Sequence, residues 1–168
     1  MGPAGNCNGY AKLINNQIYI AHSTHNIYSF LLRIFKVYHF PTKNEKVGSS
    51  WMAFSSRPGD LISKDDFYVL SSGLRVMETS FNNFKHENYS NLSPLTVPCW
   101  LRATIACNLC RNNKEWVEYF LQFRSGTHNN QWIIMDPREL KNKENVITFV
   151  EEGYELYEVL DLTPRFFK

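Results

Sequence analysis

The first cysteine of the chain sits in the run Gly5-Asn6-Cys7-Asn8-Gly9-Tyr10-Ala11-Lys12-Leu13, just upstream of a strand-like alternation. A thiol becomes a useful nucleophile when its surroundings favour thiolate or supply a base, and acyl transfer also needs hydrogen-bond donors for the oxyanion. If cleavage made Cys7 the first residue, its own neutral α-amine would act as base, directly or through water. While residues 1–6 remain attached, that nitrogen belongs to a peptide bond and accepts no proton. The competing reading is an ordinary buried or exposed thiol near a chain end.

The elements that position this cysteine follow at once. Tyr10 to His22 reads as two strands joined at Asn15-Asn16, a pair that tolerates the left-handed conformations of a primed turn. Pairing Ile14 with Gln17 sets an antiparallel register that puts His22 across from Gly9 and Thr24 across from Cys7. Alternation then brings Cys7, His22 and Thr24 onto one sheet face. For His22 the alternative is a packed, backbone-bonded imidazole.

From Asn26 the spacing turns helical, with Ile27, Phe30, Leu31, Ile34 and Tyr38 on one face and Ser23 or Thr24 as cap. A loop is expected over 41–50. Strands are expected at Trp51 to Phe54, Phe67 to Leu70 and Leu74 to Met77, the last two separated by the Ser71-Ser72-Gly73 turn. Pro98 opens a predicted long helix reaching about Phe123, whose buried surface includes Trp100, Ile105, Leu109, Trp116, Phe120 and Phe123. Gln131 to Met135, Val146 to Val150 and Tyr154 to Leu160 are later strands. The alternation points to an α+β sheet protein without internal repeat or interdomain linker.

Composition bounds the function. At 168 residues the chain reads as one domain, 1–168, and its 43% apolar and 15% aromatic content argues against disorder. A net charge of +2 with dispersed signs suggests neither a nucleic-acid partner nor an electrostatic membrane sensor. No apolar run has the length of a transmembrane segment, and no basic-then-apolar leader opens the chain, so an exported protein would be represented here without its beginning. The overlapping acceptor triplets at Asn88 and Asn91 lean towards export as glycosylation candidates. Asp65-Asp66 has no converging histidine or cysteine set and reads as a cap or turn. Cys107-X-X-Cys110 lacks a second pair and reads as two thiols on a partly packed helix face. No metal and no cofactor are expected.

Four blocks, in order, carry a resemblance. They are G-N-C-N-G-Y-A-K-L from Gly5, I-A-H-S-T-H-N-I-Y-S-F-L-L-R-I-F-K-V-Y from Ile20, D-D-F-Y-V-L-S-S-G-L-R-V-M-E-T-S from Asp65, and S-G-T-H-N-N-Q-W-I-I-M-D from Ser125. Together they resemble the phospholipase B-like, or lamina ancestor, family of N-terminal nucleophile hydrolase type over nearly the whole chain. The resemblance implies an α/β/β/α sandwich, a precursor cleaved immediately before Cys7, and lysosomal or secreted localisation. It implies Cys7 as nucleophile, its freed amine as base, His22 as a second site residue and Thr24 in the same pocket-lining segment. Asn129 and Asn130 match the paired asparagines of the later block, where a carboxamide donor can stabilise an oxyanion; Asn130 is favoured over Asn129. Their alternative is a turn leading into a strand.

Departures from the family pattern add two pocket candidates. His25 stands at a usual tryptophan position, and His128 at a usual tyrosine position before Asn129. Glu78 lies in a well-matched block without an implied role. The chain also lacks the long region that precedes the nucleophile in the family and stops well before the family's full length. Two function classes follow. One is a hydrolase of lipid esters or acyl amides acting through a Cys7 thioester. The other is an inactive, partial member with a binding or structural role, including a chain that folds only in association with the missing family segments or another copy.

Overall fold

A computed structural model describes residues 7–63, 67–81 and 93–168. The Asp65-Asp66 pair and the glycosylation candidates Asn88 and Asn91 lie outside those residues.

The chain enters through the predicted hairpin. Strands β1 (Asn8–Ile14) and β2 (Gln17–Ser23) pair antiparallel with Ile14 opposite Gln17 and His22 opposite Gly9. Asn15 and Asn16 have φ of 50° and 61°, the left-handed pair that a type I′ turn requires. The ladder stops at Asn8 opposite Ser23, one pair short of the expected Cys7–Thr24 pairing. Gly9, Ala11, Leu13, Ile18, Ile20 and His22 form the inner row of the hairpin, while the alternate residues face outward.

A seven-stranded sheet forms the middle of the fold, in the order β3 to β9 with every neighbouring pair antiparallel. Its strands are β3 (Ile34–His39), β4 (Trp51–Ser56), β5 (Phe67–Leu70), β6 (Arg75–Ser80), β7 (Asn130–Met135), β8 (Ile147–Glu152) and β9 (Tyr157–Asp161). Helices α1 (Cys99–Leu109) and α2 (Asn113–Phe120) cover one face of it. Met52, Phe54, Tyr68, Leu70, Val76, Trp132, Ile134 and Val150 meet Ala103, Ala106, Cys107, Trp116 and Phe120 in that layer. The opposite face, at Met77, Ile133 and Met135, packs on Ala11, Leu13, Ile18 and Ile20 of the hairpin and on Leu162, Phe166 and Phe167, which flank and end the short helix α3 (Thr163–Phe166). Helices, sheet and hairpin thus make three layers of an α+β fold.

Two expectations are corrected. The segment after Asn26 is not a helix: it makes a short 3₁₀ turn at Tyr28–Phe30 and then strand β3, paired with β4. Ile34, Phe35, Val37 and Tyr38 keep helical spacing, but β-branched and aromatic residues also suit a strand, and the pleated partner that β4 supplies decides the outcome. The predicted helix from Pro98 to Phe123 is two helices. Cys110 is extended, and Asn112 opens the second helix by accepting from the Glu115 backbone N–H at 2.9 Å. Bending there turns Trp100, Ile105 and Phe123 outward to 42%, 40% and 67% exposure, while Trp116 and Phe120 are fully buried as expected.

The helix layer is tied to the sheet through charge. Arg102 on α1 grips both carboxylate oxygens of Glu152 on β8 at 2.8 and 2.9 Å and donates to the carbonyls of Phe120 and Val97. Arg124 adds a contact to Glu152 at 3.2 Å. Arg102 and Glu152 are both buried, so the low-dielectric surroundings strengthen each bond and magnify the loss of any one of them.

The described residues do not cover all of the sheet. On the hairpin side, Phe35, Val37, His39, Trp51, Ala53 and Val69 of β3, β4 and β5 form an open, mainly apolar groove that no described residue of β1 or β2 lines. Phe35 and Val37 are 64% and 60% exposed.

Candidate active site

Cys7 is half-buried at the start of β1 and lines a cavity of about 320 Å³ at one end of the large sheet. The walls come from distant parts of the chain. His25 and Asn26 come from the segment after β2, Glu78 and Ser80 from β6, Cys99 and Trp100 from α1, Thr127 and His128 from the loop before β7, and Trp132 from β7.

Each wall residue is placed by a local rule. On β6, Val76, Glu78 and Ser80 alternate onto the helix face, and on β7 so do Asn130, Trp132 and Ile134. The loop carrying His128 turns at Gly126, where φ is +67° and an added Cβ would fall 2.8 Å from the Tyr154 carbonyl oxygen. Any other side chain there would strain the backbone and displace the loop.

A polar cluster occupies the floor. Glu78 is only 1% exposed; Ser80 Oγ donates to its Oε1 at 2.7 Å, and His128 Nε2 lies 3.3 Å from the same oxygen and 3.2 Å from Ser80 Oγ. A carboxyl group buried to this degree is costly to desolvate without such partners. Sequence reasoning noticed Glu78 without giving it a role and passed over Ser80, Cys99 and Trp132. Only pairing of β6 with β7 and packing of α1 over them bring these residues to Cys7.

The other expected site residues divide. His25 and His128 line the Cys7 cavity. His22 and Thr24 instead line a separate cleft with Arg33, Ser55 and Phe67. His22 Nε2 lies 2.7 Å from the backbone oxygen of Glu78, and because a carbonyl only accepts, Nε2 carries the proton. That bond ties β2 to β6. Asn129 and Asn130 are buried where the loop enters β7, and Asn130 Nδ2 donates to Cys99 Sγ at 3.1 Å. Among the described residues neither carboxamide oxygen has a hydrogen-bond partner.

The four thiols differ in chemistry. Burial pushes Cys99 up to about 12, against the opposing pull of Arg102 and the Asn130 bond, and pushes Cys107 up to about 12 against the bond from Trp116 Nε1. Cys110 is raised still further by burial. Cys107 and Cys110 are thus fully enclosed, not on the partly packed face expected of them. Iodoacetamide at pH 8 should modify Cys7 alone in the folded chain and all four thiols in denaturant, read by intact mass and peptide mapping. Comparable modification of Cys99 before unfolding would contradict this assignment.

Among the described residues no group of three or more histidines, cysteines or acids is placed to hold a metal ion, and no helix is long and apolar enough to cross a membrane. The Phospholipase B family profile matches residues 1–165. The chain is 35% identical over 151 residues to phospholipase B-like 1 of Bos taurus, covering 89% of this chain and 27% of that protein. Against phospholipase B-like 1 of Homo sapiens it is 35% identical over 139 residues, 82% of this chain and 25% of that protein. Against phospholipase B-like protein G of Dictyostelium discoideum it is 35% identical over 133 residues, 77% and 22%. The chain spans less than a third of the length of these curated relatives.

Proposed function

Because the chain belongs to the phospholipase B family, we propose that it is an acyl hydrolase whose nucleophile is Cys7, unmasked by cleavage after Asn6. The observation that carries this reading is the position of Cys7. It is the half-exposed thiol of four, and it sits in the wall of a cavity that joins a polar floor to aromatic walls. Such a cavity suits a substrate with a polar group beside an acyl chain.

In this mechanism the freed α-amine takes the thiol proton and Cys7 Sγ attacks the carbonyl of a lipid ester or acyl amide. The carbonyl electron pair moves to oxygen, then returns as the bond to the alcohol or amine breaks. The leaving group departs with the proton, and water next attacks the thioester to release the acid and restore the thiol. His22 acts at a distance by holding β2 against β6, so that the strand following Cys7 stays in register. Asn130 orients the Cys99 side of the cavity, with Asn129 beside it. His25 and His128 give its rim polarity, while Thr24 serves the neighbouring cleft. Precursor processing, glycosylation at Asn88 or Asn91 and a lysosomal or secreted location belong to the same reading.

Expression in a secretory host, followed by intact mass and N-terminal peptide sequencing, tests it. A new terminus at Cys7 together with covalent labelling of that thiol by an activated ester is the expected result. An intact Met1 terminus and an unlabelled Cys7 would refute it.

The uncovered groove on β3, β4 and β5 favours a second reading, in which the chain associates with another polypeptide, either further family segments or a second copy. A sedimentation coefficient that stays monomeric at high concentration would count against self-association.

A further inference from the structure

Two segments that line the Cys7 cavity carry exposed apolar tips. His25 and Asn26 line the cavity and run straight into Ile27 and Tyr28, while Ile62 and Ser63 line it and follow Leu61. Tyr28, Leu31, Leu32 and Leu61 are 88%, 70%, 67% and 73% exposed, and Ile27 is exposed beside them. Scattered apolar residues on a surface are ordinary, but a cluster drawn from two neighbouring segments marks a site of interaction.

The two segments are tied together. Ile34 pairs with Ser56, so the lead-in to β3 and the loop after β4 leave the same end of the sheet. The Arg57 guanidinium lies 3.7 Å from the centre of the Phe30 ring, Lys36 donates to the Asp60 carbonyl, and the Tyr38 hydroxyl donates to the Leu61 carbonyl at 3.3 Å. At the other tip the N–H groups of Phe30 and Leu31 donate to the carbonyls of Ile27 and Tyr28, both at 3.0 Å. Backbone bonded internally in this way is less costly to carry out of water.

Charge and shape select the partner. No Asp or Glu precedes Glu45, whereas Lys12, Arg33, Lys36 and Lys43 do, so the signs that are mixed over the whole chain are not mixed in this part of it. Asp60, the acid of loop 57–63, is paired with Arg57 at 2.8 Å. The groove at Phe35 and Val37 offers a wall to a polypeptide, but side chains standing out this far suit a fluid surface that closes around them. Aliphatic and aromatic tips accompanied by Arg and Lys match an anionic bilayer, with the tips in the acyl boundary and the cations among the headgroups.

We propose that Tyr28, Leu32 and Leu61, with Ile27 and Leu31 beside them, dock the chain on anionic lipid bilayers next to the Cys7 cavity. The hydrolase reading gives this docking its purpose, but the docking itself requires neither the Cys7 thiol nor cleavage before it.

The test is flotation of the full chain with vesicles of equal parts phosphatidylcholine and phosphatidylserine. Parent and Cys7→Ala should float alike. The combined variant Tyr28→Ser, Leu32→Ser, Leu61→Ser should bind about tenfold or more weakly, because it withdraws apolar surface from the acyl boundary. Tyr28→Trp should gain emission that brominated acyl chains quench beyond any quenching of the parent. Since the three replaced side chains are exposed, the combined variant should keep the parent's unfolding temperature and its acylation at Cys7 by a water-soluble activated ester.

A parent that does not float, or a combined variant that floats as well as the parent, overturns the docking. Should the combined variant fail to fold, Tyr28→Trp decides, and emission that brominated lipid leaves unquenched overturns it. Failures of the two readings are distinguishable. A chain that floats while Cys7 takes no acyl group removes the hydrolase reading alone, and acylation of Cys7 in a chain that stays off the vesicles removes the docking alone.

Discussion

Cys7→Ala should abolish hydrolysis of an activated ester, a fall on the order of 10⁶-fold in kcat if the thiol is the nucleophile. Stability should hardly change. Cys7 is half-exposed and lies just outside the β1–β2 ladder, so losing its sulfur leaves no enclosed cavity. Substitutions at such positions usually shift stability by no more than about 0.5 kcal/mol. Thermal unfolding and ester hydrolysis measured on one preparation check both halves. Activity persisting in Cys7→Ala would remove the thioester mechanism altogether. By contrast, Cys107→Ala and Cys110→Ala should spare activity and cost stability, because those thiols pack between the helices and the sheet.

Arg102→Met carries the largest expected effect on folding. It strips Glu152 of its two-pronged partner and leaves a carboxylate with 0% exposure dependent on Arg124. It also removes the donors that satisfy the Phe120 and Val97 carbonyls. Breaking a buried pair from one side costs about 3–5 kcal/mol, which for a chain of this size lowers Tm by about 10 °C. Combining Arg102→Met with Glu152→Met should recover part of that loss, because no uncompensated charge then remains buried. A single variant that unfolds at the parent temperature would show that Arg102 and Glu152 do not clamp α1 to β8.

The hairpin was legible because its determinants are local. Asn15-Asn16 sets the turn, the turn sets the register, and the register alone puts His22 across from Gly9. The buried strands β4 to β8 were legible for a similar reason, as short apolar runs bounded by turn residues. Strand β3 was not. Its apolar spacing reads as helical, and what overrides it is β4, whose partnership is a tertiary fact. The break between α1 and α2 did have a signal: Asn112-Asn113-Lys114-Glu115 is a capping sequence, and Asn112 accepts from the Glu115 N–H as that pattern predicts, while the Glu115 carboxylate accepts from the N–H of Arg111, one residue before the cap. An expected continuous apolar face hid it.

The site was legible only in part. Cys7, His25 and His128 do line one cavity, but the residues that furnish its floor and walls, Glu78, Ser80, Cys99 and Trp132, come from β6, α1 and β7. No spacing in the sequence encodes their meeting. It depends on β6 pairing with β7 and on α1 lying across them. His22 shows the opposite limit. Its position on the inner row of the hairpin was predictable, but not that its ring would be occupied by the Glu78 backbone oxygen.

Because the ladder begins at Asn8, a single peptide unit separates the Cys7 α-carbon from backbone that is already paired to Ser23. A terminus created at Cys7 would therefore have almost no tail in which to wander. Thiol and amine would hang from one α-carbon on a very short tether, sweeping a volume far smaller than that of a frayed chain end. Confinement of this kind raises the effective concentration of base at nucleophile, and of both at a bound carbonyl, without any further side-chain contact. Moving the cut even a few residues upstream would leave the sulfur in place but set further peptide units between it and the amine.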